Sequence, residues 1–360
     1  MKLDVLQDNL KRGLAIVGRA VPGKSTLPVL SNVLLEATGD VLRLSATNLE
    51  VGISHTIAAR VEDIGAFTLP AKLLSDVVSN LNNETVNLAF DNNAITVKSG
   101  KSTSTMKGID SDEYPLLPTI SGDAITLPCD LLRLAIEQCA PCAATDDTRP
   151  VLKAVYLSIA DGVSTFAAAD GFRLARKQVA VDTTFAPMLI PARALEMLAS
   201  ILDGDTVELR TNGNQASFTT EHTTLTTRLL DGKYPDTDRI MPQQYTTRLV
   251  VDTNEMLRAL RLASHFATWS SDIVRLSVNA DTLDISANAA EVGANFGTVN
   301  ATVTGEPVNI ALNVKYLTEA VSLCKATQVA IELQSAQQPA VLRGVGDETY
   351  TQVVMPMSQR

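Results

Sequence analysis

Leu69-Pro70-Ala71-Lys72-Leu73-Leu74 recurs as Ile190-Pro191-Ala192-Arg193-Ala194-Leu195 and again as Leu312-Asn313-Val314-Lys315-Tyr316-Leu317, at spacings of 121 and 122 residues. Repeats of that period are whole domains rather than solenoid units. Each copy opens a helical pattern. Leu74, Val77, Val78 and Leu81 correspond to Leu195, Leu198, Ala199 and Leu202, then to Leu317, Ala320, Val321 and Cys324, all at i, i+3, i+4, i+7. In two copies a Pro is expected in the first helical turn. An alternating segment follows each helix, at Glu84 to Leu88, Asp205 to Leu209 and Thr327 to Ile331, and reads as a half-buried strand.

A second block repeats in register with the first. Asp8-Asn9-Leu10-Lys11 matches Asp130-Leu131-Leu132-Arg133 and Glu255-Met256-Leu257-Arg258, each opening an amphipathic helix at the head of its repeat. Between the two helices lie strand-like stretches at Val41 to Ser45, Ala154 to Ser158 and Val274 to Val278. Turn residues gather from Tyr114 to Gly122 and from Tyr234 to Gln244, which divides the chain into domains over 1–122, 123–245 and 246–360. Strand runs outnumber helices and do not alternate with them one for one. The expected class is therefore α+β, with three repeated domains of two helices on antiparallel sheets.

The totals exclude several classes. With 360 residues, 45% hydrophobic and 19% charged, the chain has the balance of a globular protein with several cores. No secretory leader and no apolar run of membrane-spanning length stands in it, so a cytoplasmic location is expected. Cys129, Cys139, Cys142 and Cys324 read as reduced thiols. The net charge of −10 argues against nucleic acid unless the 30 Lys and Arg are concentrated on one face.

Six of them recur at equivalent places. Lys72, Arg193 and Lys315 occupy one equivalent position, and Lys11, Arg133 and Arg258 another, so a cation recurs on all six helices. Six helices side by side at about 8–10 Å make a circle only about 17 Å across, too narrow for a duplex. Twelve helices from two chains make one of roughly 35 Å, with a clear bore of about 25 Å. Duplex DNA, roughly 20 Å wide, fits inside it. The expectation is a homodimeric ring lined by cations that hold phosphates without reading bases.

The chain resembles the bacterial sliding clamp family, the β subunit of DNA polymerase III, from Met1 to Met357. The resemblance is carried by Thr26-Leu27-Pro28-Val29-Leu30-Ser31-Asn32, Thr148-Arg149-Pro150-Val151-Leu152, Ala169-Asp170-Gly171-Phe172-Arg173-Leu174-Ala175, Gly232-Lys233-Tyr234-Pro235-Asp236 and Val353-Val354-Met355-Pro356-Met357. It implies a non-catalytic processivity factor without cofactor or metal. It also implies a pocket for short Leu/Phe-containing peptides of polymerases, the clamp loader and repair proteins. The pocket residues would be Leu152, Gly171, Phe172, Arg173, Leu174, Pro242, Val353, Val354, Met355, Pro356 and Met357. Lys24 and Arg149 match DNA-contacting positions. The resemblance further implies a head-to-tail dimer contact between Lys101, Met106 and Lys107 of one chain and His265 and Phe266 of the other. Phe172 stands where many members have His, Lys24 where Arg is frequent, and Ser358-Gln359-Arg360 extends past the usual end.

Two other classes compete with this reading. Gly18-Arg19-Ala20-Val21-Pro22-Gly23-Lys24-Ser25 satisfies the phosphate-loop pattern of an ATPase, but a true phosphate loop leaves a strand and opens a helix. Here a helical segment precedes it and an extended Thr26 to Leu30 follows. A scaffold that never meets DNA is the other alternative. His55, His222 and His265 have no metal-ligand spacing, and Cys139-Ala140-Pro141-Cys142 lacks a second pair.

Overall fold

The computed structural model describes residues 1–82, 85–91, 93–181 and 183–358. Glu84, Gln359 and Arg360, which figure in the readings above, lie outside the described residues. Among the described residues there are seven α-helices: α1 (Gln7–Val17), α2 (Ala71–Ser79), α3 (Cys129–Cys139), α4 (Ala192–Ile201), α5 (Thr237–Ile240), α6 (Thr253–Ala267) and α7 (Val314–Leu323). The six longer ones are the two helices of each repeat; α5 is a single turn inside the second joint, where the sequence reading expected only turns.

The chain packs as two compact units, unit 1 from Met1–Arg133 with Arg193–Leu229 and unit 2 from Leu134–Ala192 with Leu230–Arg360. Within unit 1 a five-stranded sheet runs in the order Arg60–Asp63, Lys2–Leu6, Thr85–Asp91, Ala94–Ser99, Ser102–Lys107. An eight-stranded sheet also lies in unit 1. There Thr223–Arg228 of the second repeat pairs antiparallel with Val51–Ala58 of the first, Thr226 opposite Gly52. Unit 2 holds a twelve-stranded sheet in which Tyr350–Val354 of the third repeat pairs with Arg173–Ala180 of the second, Val353 opposite Leu174. Sheets therefore run on from one repeat into the next.

Helix faces follow the apolar spacing. In α1, Leu10, Leu14 and Val17 are buried, and Gly13 lets the helix lie close to the sheet: a Cβ there would stand 2.6 Å from Leu44 Cδ1. Gln7 Nε2 donates to Val78 O at 2.7 Å and ties α1 to α2. Pro70 and Pro191 are the last residues of strands, one position ahead of the helical turn in which Pro was expected. At the third copy Asn313 takes that place and caps α7, its Oδ1 accepting from Lys315 N at 2.9 Å. The segment expected to be extended at Thr26 to Leu30 instead contains a 3-10 turn, Pro28–Ser31, which the fixed φ of Pro28 starts.

Candidate functional site

Unit 2 brings most of the expected pocket residues onto one frame. Asp170 ends the strand Val163–Ala169, and its Oδ1 accepts from Phe172 N at 2.8 Å and Arg173 N at 3.0 Å, forming an Asx turn. Gly171 takes φ +94°, a backbone conformation that favours glycine, and a Cβ there would lie 2.7 Å from Arg149 Nη1. Tyr234 anchors the turn by accepting from Ala169 N at 2.9 Å. Burial pushes the Tyr234 phenol pKa well up, so it stays a neutral hydroxyl.

The C-terminal strand closes the frame. Val353 and Val354 are 1% and 0% exposed, so both belong to the core, and of the two only Val353 contributes to the apolar floor, with Ala169, Leu174, Met241 and Val341. Past it, Met355 N donates to Phe172 O and Met357 N to Ala311 O, both at 2.8 Å, which holds the tail onto the sheet. Met355 and Phe172 stand exposed at the rim, with Pro356 and Met357 half-buried. Leu152 falls in a separate apolar cluster with Ala144, Ala154, Leu189 and Tyr234. Pro242 is half-buried and lines a cavity of about 530 Å³ with Arg248, Glu332 and Arg343. Met241, which no sequence motif singled out, is the joint residue that reaches the floor.

Arg173 is occupied internally. Its Nε meets Asp170 Oδ2 at 3.0 Å, Nη1 meets Glu319 Oε1 at 3.0 Å, and Nη2 donates to Pro141 O at 2.6 Å. The guanidinium also lies over the Tyr316 ring, 4.6 Å from its centroid, and Phe172 stacks on the same ring at 6.5 Å. The arginine therefore sets the wall on which Phe172 rests. Tyr316 and Glu319, one turn apart on α7, were missed because nothing in sequence links them to Arg173.

The expected DNA contacts divide. Lys11, Lys72, Arg193 and Arg258 are exposed on their helices, and Lys24 on a loop. Lys315 is exposed but paired with Asp272 at 2.7 Å. Arg133 is half-buried and donates to Ala199 O at 3.3 Å and Leu202 O at 2.7 Å, so part of its charge serves the C-terminal end of α4. Arg149, expected at DNA, has its guanidinium over Gly171.

Of the expected dimer residues, Lys101, Lys107 and His265 are exposed and Phe266 is half-buried. Met106 is 4% exposed, packed within its own chain. The Gly18 to Ser25 segment is no phosphate loop. It leaves α1 through a 3-10 turn, Gly18–Ala20, and Ser25 Oγ accepts from Leu27 N. All four cysteines are buried free thiols, with Cys142 and Cys324 pushed up to about 12 by burial. Among the described residues no helix is long and apolar enough to cross a membrane. No group of three His, Cys, Asp or Glu is placed there to hold a metal.

Models of the N-terminal, central and C-terminal domains of the DNA polymerase III beta subunit match residues 1–118, 126–236 and 238–358. The beta sliding clamp of Synechococcus elongatus is 35% identical across the whole of both chains, and that of Bacillus subtilis 30% across 99% of each. Among solved structures, the Bacillus subtilis clamp superposes with a TM-score of 0.95 at 29% identity, covering all of both chains. A Pseudomonas aeruginosa sliding clamp bound to griselimycin does so at 0.94 and 26%, also over all of both. With its repeats matched in order over their full length and the α+β clamp fold in place, the chain belongs to the DNA polymerase III beta subunit family, the DNA sliding clamps of bacteria.

Proposed function

We propose that two copies of this chain close head to tail into a ring around duplex DNA, and that the ring tethers polymerases and other DNA-processing proteins without catalysing a reaction itself. One observation carries the reading. Two junctions between repeats are made within the chain by a last strand pairing with the strand that follows the Asx turn of the repeat before. The corresponding strand of the first repeat, Ser102–Lys107, is left at a sheet edge. Its complement in the third repeat is the Gly293 to Asn300 stretch, which among the described residues pairs only with Thr282–Ala289 and presents Phe296 at 68% exposure. A third junction is thus half-built at each end, and a second copy supplies both missing halves.

On this reading Lys101 and Lys107 flank the pairing edge, His265 and Phe266 lie near it, and the strand backbone rather than Met106 makes the contact. The exposed Lys11, Lys24, Lys72, Arg193, Arg258 and Lys315 supply phosphate contacts in the bore, with Arg133 and Arg149 in lesser roles. The frame around Leu174 and Val353 accepts a short apolar peptide, and the location is cytoplasmic. The test is retention: after loading, the chain stays on closed circular duplex and is lost when the circle is cut. Equal loss from circular and linear DNA overturns the ring.

A further inference from the structure

The frame that carries the candidate peptide pocket in unit 2 is built a second time in unit 1. Asn48, 122 residues before Asp170, accepts at Oδ1 from Glu50 N at 3.0 Å and Val51 N at 2.7 Å, repeating the Asx turn. Tyr114 accepts from Thr47 N at 3.2 Å, as Tyr234 does from Ala169 N. Arg228 N donates to Glu50 O at 3.1 Å, as Met355 N does to Phe172 O. Gly52 and Thr226 face one another across the strands where unit 2 has Leu174 and Val353.

Only the bulk is redistributed. In unit 2 the floor is apolar and includes Met241 of the joint, which has the small Thr237 three residues after its tyrosine. In unit 1 the floor is Gly52 and Thr226, and the joint places Leu117 three residues after Tyr114. Leu117 sits on Gly52: a Cβ there would come within 2.5 Å of Leu117 Cδ2 and 3.0 Å of Thr226 Oγ1. Beside it an open cavity of about 230 Å³ remains, lined by Leu49, Val51, Gly52 and Thr226. Leu49 at the turn is 52% exposed and Leu116 on the joint 96%.

We propose that unit 1 holds a second copy of the peptide groove, kept shut by the chain's own Leu117, so that each chain offers one open groove. The proposal rests on the reading of unit 2 as a peptide pocket, and its chemistry is the same: a short peptide bearing Leu and Phe side chains. Leu117 takes the place over Gly52 that such a side chain takes over Leu174.

The experiment titrates an acetylated Leu-Ser-Leu-Phe peptide into the full chain by calorimetry. Leu117→Ala empties the seat, and Leu117→Thr installs the residue type of the unit 2 joint. Both variants are expected to raise the stoichiometry from one to two per chain, the new site being weaker because its floor is less apolar. Each is repeated in a chain truncated before Pro356, where only unit 1 remains to bind; one equivalent is expected with Leu117 replaced and none with it present. Stoichiometry unchanged in both variants and both backgrounds, with melting temperature retained, overturns the proposal. The unit 2 reading is judged separately on the wild type, which must bind one equivalent that truncation removes.

Discussion

Asn48 and Asp170 make the same turn, Tyr114 and Tyr234 brace it, and a strand from the following repeat closes it in both units. The two regions differ in where the apolar volume sits. Unit 2 puts Leu174 and Val353 on the floor with Met241 of the joint beside them, and has the small Thr237 three residues after its tyrosine; unit 1 leaves the floor small and has Leu117 at that place. They differ also in their electrostatics. Arg173 is locked by Asp170 and Glu319 in unit 2, whereas the corresponding residue of unit 1, Val51, is buried and apolar. The lesson is that backbone hydrogen bonds preserve a frame through repetition, while side-chain volume decides whether that frame is a groove or a filled joint.

The largest effect is expected from Arg173→Ala. It leaves Asp170, 14% exposed, and Glu319 without their cation, and removing one partner of a largely buried pair costs about 3–5 kcal/mol. Thermal unfolding should show that loss, and Phe172 should lose its support on Tyr316. Val51→Ala in unit 1, which removes no charge, should cost less; equal losses would mean that the ion pairs do not set unit 2 apart.

Truncation before Pro356 comes next. It removes the Met357 N to Ala311 O bond and part of the rim but none of the core strand. Peptide binding by unit 2 should drop out of the calorimetric range, since loss of about 1.5–3 kcal/mol of apolar burial lowers affinity about ten- to a hundredfold, while the melting temperature stays nearly unchanged. Retained affinity in calorimetry would remove the tail from the pocket.

Gly52→Ala sharpens the comparison from the other side. Its new Cβ overlaps Leu117, and overpacking of this kind costs about 1–3 kcal/mol. Chemical denaturation should record a loss near the lower end, since Leu117 is half-buried and can move. Adding Leu117→Ala should restore the stability; no rescue would show that Leu117 is not what occupies the seat.

The smallest effect is a pH dependence. Burial raises the Tyr114 phenol from 10.0 to about 12, so the folded state favours the neutral form. The resulting contribution is complete below the unfolded value near 10 and is lost as pH rises from there to about 12. Tyr114→Phe should flatten this alkaline fall in a melting series while costing about 1 kcal/mol at neutral pH for its hydrogen bonds to Thr47 N and Asn32 O. An unchanged alkaline slope would assign the fall to other groups.

The amino-acid sequence by itself determined the period, the six long helices and the alternating strands, because helix and strand formation follow local spacing of apolar residues. It also determined which six positions carry recurrent cations. Tertiary structure decided what those side chains do. Arg133 is drawn to the carbonyls of Ala199 and Leu202, and Met106 faces the core because its strand alternates that way against Ala94–Ser99. Gly52 and Thr226, 174 residues apart, meet only because sheets continue across repeats. No local pattern encodes such a meeting, since a strand's period places a side chain on a face but does not name the strand or the leucine that will cover it.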